Sequence, residues 1–303
     1  MPNINTTITL PVETQTFYDR TLLKRMLPYL VFMRFAQKKS IPKKSGKKIN
    51  FRRYTPLPPA TTPLTEGVTP EGETLNVDQV EAVVKFYGRH IENSDELDLV
   101  GIDDSLTESS ELLGEQAGLT LDTLTRNEVC SGTNVQYAGG VTGTSNVTAK
   151  ISSEEVKKAV RTLKKANAPT IDGSYIGVID PDISYDIQND PLWMDVSKYS
   201  GGKAIMDGEI GKLGGVRFIE TTNTLVKEGK IHYAMIIGKD AYGAVDIANK
   251  NSGEKPRIIL KTFESGGTSD PLEQRQTVGW KAPHVAVRLN ELAMVRLEVA
   301  VSE

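Results

Sequence analysis

The residues of this sequence that could do chemistry are few and widely spaced. The three histidines, His90, His232 and His284, have no partner at the spacings of metal-binding motifs. Cys130, the single cysteine, has no flanking histidine and no evident basic pocket to activate its thiol. The sequence therefore predicts structural histidines and a buried, inert thiol.

A second candidate is a series of carboxylates. Asp182, Asp186 and Asp190 recur every four residues after Pro181, and such a cluster could serve a carboxylate-dependent α+β hydrolase. The series lacks the glycine that a calcium-binding loop needs at its turn, and it lies at a predicted helix start, where acidic side chains are favoured. A solvated helix face is the simpler interpretation.

Glycine-containing motifs for phosphate binding are also incomplete. The Gly-Lys pairs at 46–47 and 202–203 lack the remainder of a phosphate loop. Gly208, Gly211 and Gly214 imitate a dinucleotide loop, but they precede a predicted strand instead of following one, so we expect a turn over 208–215. We therefore expect a protein that is not an enzyme, with no catalytic residue, no metal and no cofactor.

Composition limits the function classes further. The chain has 303 residues, a net charge of -3 and one cysteine, which suits roughly two domains in a reducing compartment. No apolar run approaches the length of a membrane span, and the polar start is not a signal peptide. The mildly acidic total argues against a dedicated nucleic-acid binder.

The charges are distributed unevenly. Between Arg20 and Arg53 there are twelve Lys or Arg and no Asp or Glu, whereas between Glu66 and Glu128 there are sixteen Asp or Glu and three Lys or Arg. The two blocks could be solvated faces of one body, or complementary surfaces that meet between copies. A third interpretation is nucleic-acid binding through the basic block.

The stretch from Lys48 to Glu92 predicts a projecting hairpin. Lys48–Thr55 and Val77–Glu92 alternate as strands, with Val80, Ala82, Val84 and Phe86 on one face of the second. About twenty residues without periodicity separate them, and they contain five prolines and two glycines. A two-stranded ribbon is marginally stable alone and has open edges, so we expect another subunit to complete it.

Helical patterns surround this hairpin in an α+β arrangement. Thr16–Phe35 predicts a basic amphipathic helix interrupted at Pro28. We expect its apolar face, formed by Leu23, Met26, Leu27, Leu30 and Val31, to dock on protein instead of a membrane. Asp103–Ser131 is the longest predicted helix, with an apolar stripe formed by Leu106, Leu113, Ala117, Leu121 and Leu124. Ser152 with Glu155 forms a capping box for another helix. The remaining predicted strands are Tyr175–Ile179, Val216–Glu220, His232–Gly238, Arg257–Thr262, His284–Leu289 and Ala293–Val299.

Several longer motifs resemble one protein family nearly end to end. They are LPVETQTFYDRTLLKRMLP (10–28), FRRYTPLPPATTPLTEGVTP (51–70), ELLGEQAG (111–118), GTNVQYAGG (132–140), DGEIGKLGGVRFIETTN (207–223), DPLEQRQTVGWKA (270–282) and LNELAMVRLE (289–298). Together they are specific, although each alone is weak. With them the sequence resembles the major capsid proteins of N-four-like and related tailed bacteriophages.

The resemblance implies the Hong Kong 97-type capsid fold, an α+β fold. The implied divisions are an N-terminal arm (1–46), an extended β-ribbon loop (47–92), a peripheral domain (93–150 and 251–289, with a spine helix over 103–131) and an axial domain (151–250 and 290–303).

The resemblance also implies function and partners. Copies would assemble in the host cytoplasm as hexamers and pentamers that form an icosahedral phage head. The packaged double-stranded DNA would be contacted without sequence preference. Further partners would be a portal protein and candidate scaffold or decoration proteins, and no membrane is expected. A nonviral nanocompartment shell of the same fold is the alternative. The expected contact residues between subunits are Lys43, Lys44, Lys47, Lys48, Arg52, Arg53, Pro58, Pro59, Pro63, Glu66, Glu108, Glu111 and Glu115.

Overall fold

The computed structural model describes residues 21–40, 47–54, 57–96, 105–193, 209–245, 256–261, 263, 271–272 and 274–302. Residues 21–26 are helical, and the α-helices with both ends described are α1 (Val31–Arg34), α2 (Ser105–Cys130), α3 (Ser153–Lys165) and α4 (Pro181–Gln188). The strands are β1 (Gln37–Lys39), β2 (Lys48–Tyr54), β3 (Val77–Val83), β4 (Lys85–Ser94), β5 (Val135–Tyr137), β6 (Tyr175–Ile179), β7 (Glu209–Leu213), β8 (Val216–Glu220), β9 (Val226–Lys227), β10 (Ile231–Ile237), β11 (Tyr242–Val245), β12 (Arg257–Lys261), β13 (Arg275–His284), β14 (Ala286–Arg288) and β15 (Met294–Ala300).

A seven-stranded mixed sheet forms the larger core. Its order is β5-β15-β10-β6-β8-β7, with β9 added beside β10. Every residue of β6 and β10 is buried, because central strands covered on both faces require apolar side chains in both directions. Helix α3 packs on this sheet and begins at the predicted cap, where Ser152 accepts a hydrogen bond from the Glu155 N–H.

A second core lies between α2 and a three-stranded antiparallel sheet, β12-β13-β4. Ile258, Val278 and Trp280 are buried in it, and the Trp280 indole N–H donates a hydrogen bond of 3.1 Å to Gln116 of α2. The apolar stripe predicted for the long helix is confirmed, since Leu113, Ala117 and Leu121 of α2 belong to this core. None of the described helices has the length and apolar character that a membrane crossing requires.

The N-terminal segment, residues 21–36, packs along α2 through two glycines. A Cβ atom on Gly118 would lie 2.6 Å from the Met26 carbonyl oxygen, and one on Gly114 would lie 3.1 Å from the Leu22 carbonyl oxygen. The helix predicted over 16–35 is interrupted near Pro28 as expected, by a 3₁₀ turn at Leu27–Tyr29. Leu27, which was predicted on the buried face, is 49% exposed because this turn rotates it outward.

The predicted hairpin is shorter than the sequence suggested. Strands β2 and β3 pair from Lys48↔Val83 to Tyr54↔Val77, but the single strand predicted over 77–92 is two strands. The break falls at Val84, whose N–H bonds to the Lys47 carbonyl at 2.8 Å, and β4 then pairs with β13 instead. Phe86, predicted to share the buried face of Val80, is therefore 44% exposed on a different sheet.

Some strands were not predicted at all. Strand β13 carries Gly279 and Pro283, residues that weaken a strand pattern, and the predicted strand His284–Leu289 is in fact the end of β13 followed by β14. The segment 208–215, predicted as a turn, contains β7, which pairs with β8 across the Gly214-Gly215 turn.

Candidate assembly interface

The hairpin tip, residues 57–76, is exposed at every position. The one hydrogen bond described between its backbone groups joins the Val68 N–H to the Thr65 carbonyl at 3.1 Å. Four large apolar side chains in the tip are between 55% and 78% exposed, namely Leu57, Leu64, Val68 and Leu75. Four prolines stiffen this segment, which has little internal hydrogen bonding, so the tip is a poor candidate for packing on itself.

The base of the same hairpin is anchored. Ile49, Phe51 and Ala82 are buried in the second core, and the Phe51 ring lies so close to Gly243 that a Cβ there would be 2.4 Å from the ring. Lys48 and Glu81 form an ion pair of 2.9 Å across the two strands. The hairpin is thus fixed at one end and projects at the other.

Both long edges of the hairpin are open among the described strands, because β2 and β3 pair with each other alone. Arg52, Arg53 and Tyr54 on β2 are exposed beside one edge. Open strand edges and exposed apolar side chains allow a hairpin to pair with a strand of another chain.

The outer face of the β12-β13-β4 sheet is a shallow apolar groove. Phe86, Gly88 and His90 of β4 lie on this face beside Gly279 and Lys281 of β13. Gly88 and Gly279 contribute no side chain, which leaves a cavity of about 350 Å³. The opposite face of this sheet is the one that packs on α2.

Cations predominate around this groove, although one carboxylate, Glu92, lies on the same face beside His90. Arg257 and Lys261 flank the exposed Ile259 on β12, and the Lys281 ammonium lies 4.9 Å from the centre of the Phe86 ring. The hairpin tip carries the opposite charge, with Glu66, Glu71 and Glu73 and no Lys or Arg between residues 57 and 76. The outer sheet face and the hairpin tip are therefore complementary in charge and both expose apolar side chains.

The contact residues predicted from the sequence lie in three places. Those on the hairpin are all exposed: Lys47, Lys48, Arg52, Arg53, Pro58, Pro59, Pro63 and Glu66. On α2, Glu108 is exposed, whereas Glu111 and Glu115 are partly covered and form ion pairs with Arg25 of the same chain. Lys43 and Lys44 lie outside the described residues. That these residues meet a neighbouring subunit stays a prediction.

Sequence reasoning missed the outer sheet face. Phe86 was placed on another face, and neither Ile259 nor Lys281 was singled out. One signal was present, because an isolated glycine within a strand, such as Gly88 or Gly279, often marks close approach of another backbone.

A buried polar network joins α2 to two other parts of the chain. The Asp122 carboxylate accepts hydrogen bonds from the Met33 N–H and from the Asn223 side-chain amide at 3.0 Å. The Arg126 guanidinium and the Thr123 hydroxyl donate hydrogen bonds to the side-chain oxygen Oδ1 of Asn223. Burial raises the pKa of Asp122 to about 6, although these hydrogen bonds and the Arg126 charge oppose the shift.

His284 and Cys130 are buried as structural groups. The Thr125 hydroxyl donates its proton to the Leu121 carbonyl, so the His284 Nε2 at 3.1 Å must carry the proton and donate to Thr125. Burial lowers the pKa of His284 to about 4 and raises the pKa of the Cys130 thiol to about 12. The prediction of a buried thiol is confirmed.

The structure brings His232 to a carboxylate, which the sequence did not indicate. Its Nδ1 bonds to Asp180, which also caps α4 by accepting from the Ile183 N–H. Asp182 is exposed nearby, and these three side chains offer donor atoms within 4.8 Å of one another. The helix cap uses one oxygen of Asp180 and the His232 hydrogen bond uses the other, so both oxygens already have partners within the chain.

The three carboxylates considered for hydrolysis have separate partners. Asp186 accepts from the N–H and hydroxyl of Ser302, while Asp190 accepts from the N–H groups of Ser153 and Leu192. Burial alone would raise the pKa of Asp190, but the bonds from Ser153 and Leu192 and the Lys157 charge lower it. Because each is used in tertiary hydrogen bonding or exposed, they do not form a paired acid and base.

Comparison with known proteins rests on structure. No protein-family description matches the chain, and no curated protein sequence matches it. The capsid protein of cyanophage P-SCSP1u is similar over 90% of this chain and 89% of its own, with a TM-score of 0.65 and 15% identity. The capsid of Ralstonia phage GP4 is similar over 89% and 88%, with a TM-score of 0.65 and 13% identity.

A virus-like particle from Pyrococcus furiosus is also similar, with a TM-score of 0.57 and 12% identity over 94% of this chain and 99% of that one. At sequence identities this low, the structural similarity establishes the fold and does not by itself establish the function. The chain has the Hong Kong 97-type fold that these shell-forming proteins share.

Proposed function

We propose that this chain is the major capsid protein of a tailed phage of the N-four-like group that its motifs resemble. Copies join as hexamers and pentamers and close an icosahedral head around double-stranded DNA. The observation that carries the proposal is the hairpin, which is anchored at Phe51 and fully exposed from residue 57 to residue 76. The shared fold with phage capsids supports the same function.

The proposal makes the protein a structural component without enzymatic activity. It resides in the phage head after assembly in the bacterial cytoplasm, and a portal protein occupies one vertex. Scaffold and decoration proteins are further candidate partners. The divisions into arm, extended loop, peripheral domain and axial domain are those implied by the resemblance, except that the extended loop ends at Val83, where β3 ends.

The contact at the centre of the proposal is between neighbouring copies. The hairpin tip of one subunit lies on the outer face of the β12-β13-β4 sheet of the next. Leu64 and Val68, 78% and 63% exposed, supply apolar surface for the groove beside Phe86 and Ile259. Burying about 100 Å² of apolar surface contributes roughly 2.5 kcal/mol, so a few such side chains outweigh the ion pairs at the rim.

Charge selects the partner surface. The acidic tip is attracted to Arg257, Lys261 and Lys281, and each exposed pair is worth only about 0–1 kcal/mol. Because every subunit in a closed shell is held by several neighbours at once, weak contacts sum to a stable assembly.

The test is deletion of the hairpin tip. A variant lacking residues 58–74, and a matched variant in which a Gly-Ser linker of equal length replaces them, should fold like the wild type by circular dichroism. Neither should form shells by electron microscopy and sedimentation, whereas the wild type should. Normal shells from the Gly-Ser variant would contradict the role of the tip, and a wild type that stays monomeric under all conditions would contradict the function itself.

The second candidate is a nonviral shell that encloses protein cargo. Its specific support is the likeness to the virus-like particle from Pyrococcus furiosus. The contents of purified shells distinguish the two: nuclease-protected DNA supports the phage head, and a co-purifying enzyme in place of DNA supports the nanocompartment.

A further inference from the structure

Helix α3 displays a row of cations on its exposed side. Lys157, Arg161, Lys164 and Lys165 are all exposed and follow each other at helical spacing, so that they share one face. The row covers about 12 Å of the helix, at a rise of about 1.5 Å per residue.

The acidic residues of the same helix do not neutralise this row. Glu154 and Glu155, in the first turn, both form ion pairs with Lys158 at 3.0 Å. Among the described residues, none of the four cations of the row forms an ion pair within 4.0 Å, although Lys157 interacts with Asp190 at longer range.

The row borders a hollow beside the Gly214-Gly215 turn. The hollow has a volume of about 440 Å³ and is lined by the four cations together with Val160 and Gly214, and its lining contains no carboxylate. Gly214 has a φ of +61°, and the absence of a side chain there keeps the hollow open toward α3. A concave site with four cations and no anion favours phosphate oxygens.

Helix stability accounts for only part of this pattern. Lys164 and Lys165 lie in the last turn of α3, where cations stabilise the helix dipole. Lys157 and Arg161 lie in the middle turns, where the dipole gives no such benefit, and Arg161 adds a planar donor group suited to phosphate.

We propose that the exposed face of α3 binds the phosphate backbone of nucleic acid without sequence preference. The choice of nucleic acid over other polyanions rests on the proposed shell function, in which the chain faces an enclosed genome. The alternative partner, an acidic surface of a second copy, is an outcome of the test below.

The experiment compares two triple variants of the full-length protein. The first carries Lys157→Gln, Arg161→Gln and Lys164→Gln, and the control carries Lys227→Gln, Lys230→Gln and Lys239→Gln, which removes the same charge from other exposed positions. Binding to a fluorescent DNA duplex of about 30 base pairs is measured by anisotropy over a range of salt concentrations. Shell formation by each protein is followed separately by electron microscopy.

The α3 variant should bind roughly tenfold or more weakly than the control, and its plot of log affinity against log salt should be shallower by roughly 2 to 3, because three phosphate contacts are lost. Equal binding by the two variants, or no DNA binding by the wild type, would overturn the inference. Loss of shells by the α3 variant with unchanged DNA binding would identify a contact between copies and also overturn it. A wild type that binds DNA but never forms shells would instead refute the shell function.

Discussion

The carboxylate of Asp122, in the middle of α2, accepts a hydrogen bond of 3.2 Å from the backbone N–H of Met33. This contact fixes the N-terminal segment to α2, the longest described helix, at a fully buried position. A charged carboxylate is costly to bury, so the contact that joins the two segments depends on pH.

Replacing Asp122 with Asn should reveal this dependence. The pKa of Asp122 is raised to about 6 from 3.8, so its stabilising contribution is complete below pH 3.8 and is lost as pH rises through 6. Two pKa units correspond to about 3 kcal/mol. Relative to wild type, the free energy of unfolding of Asp122→Asn should therefore rise by up to about that amount between pH 4 and pH 7, measured by urea unfolding. If the difference in unfolding free energy between the variant and the wild type were constant over this range, the raised pKa of the buried Asp122 would be contradicted.

His284 should give the opposite slope. Its pKa is lowered to about 4 from 6.5, so its contribution is complete above pH 6.5 and is lost as pH falls through 4, by about 3 kcal/mol. In His284→Gln the loss of stability on acidification should be smaller than in wild type. His90→Gln removes an exposed histidine and serves as the matched control; an equal change in both variants would argue against a buried, neutral His284.

Gly118 should tolerate no side chain. Alanine there places Cβ 2.6 Å from the Met26 carbonyl oxygen, a backbone atom that cannot move freely. Although alanine favours helix by about 1 kcal/mol, the clash should produce a net loss of roughly 1–3 kcal/mol. The N-terminal segment should then be cleaved faster in limited proteolysis. Gly114→Ala, with its nearest atoms at 3.1 Å, should have a milder effect, and the reverse ranking would contradict this packing.

Charge reversal should test the proposed partner of the hairpin tip. Glu66→Lys, Glu71→Lys and Glu73→Lys together should lower the shell yield in sedimentation, because the tip would then repel the cations around the outer sheet face.

Restoration is the decisive arm of that experiment. Arg257→Glu, Lys261→Glu and Lys281→Glu, added to the reversed tip, should recover shell formation because the charges again attract. Failure of the combined variant to assemble, with each set folded by circular dichroism, would place the acidic tip against another surface.

Cys130 should be unreactive until the chain unfolds. Burial raises the pKa of its thiol to about 12 despite the Arg126 and Arg296 charges, so thiolate is scarce near pH 8. A chromogenic thiol reagent should therefore modify it only in urea. Rapid modification of the folded protein would show that the end of α2 opens to solvent.

Local patterns in the sequence determined several elements before any fold was known. The apolar stripe of α2, the Ser152 cap of α3 and the proline at the start of α4 each depend on residues within a few positions of one another. The same holds for the projecting hairpin, because prolines between two alternating strands prevent local pairing whatever the surroundings. The motif resemblance added the fold that the structural comparisons confirm.

Only the tertiary structure decided which distant segments meet. The pairing of β4 with β13 joins residues such as Gly88 and Lys281. It creates the outer sheet face, which no local sequence pattern predicted. Contacts such as Asp180 with His232, or Asp122 with Met33, likewise depend on how whole layers pack. Such pairings are selected by the summed burial of two cores, a property of the complete chain that no short window of sequence contains.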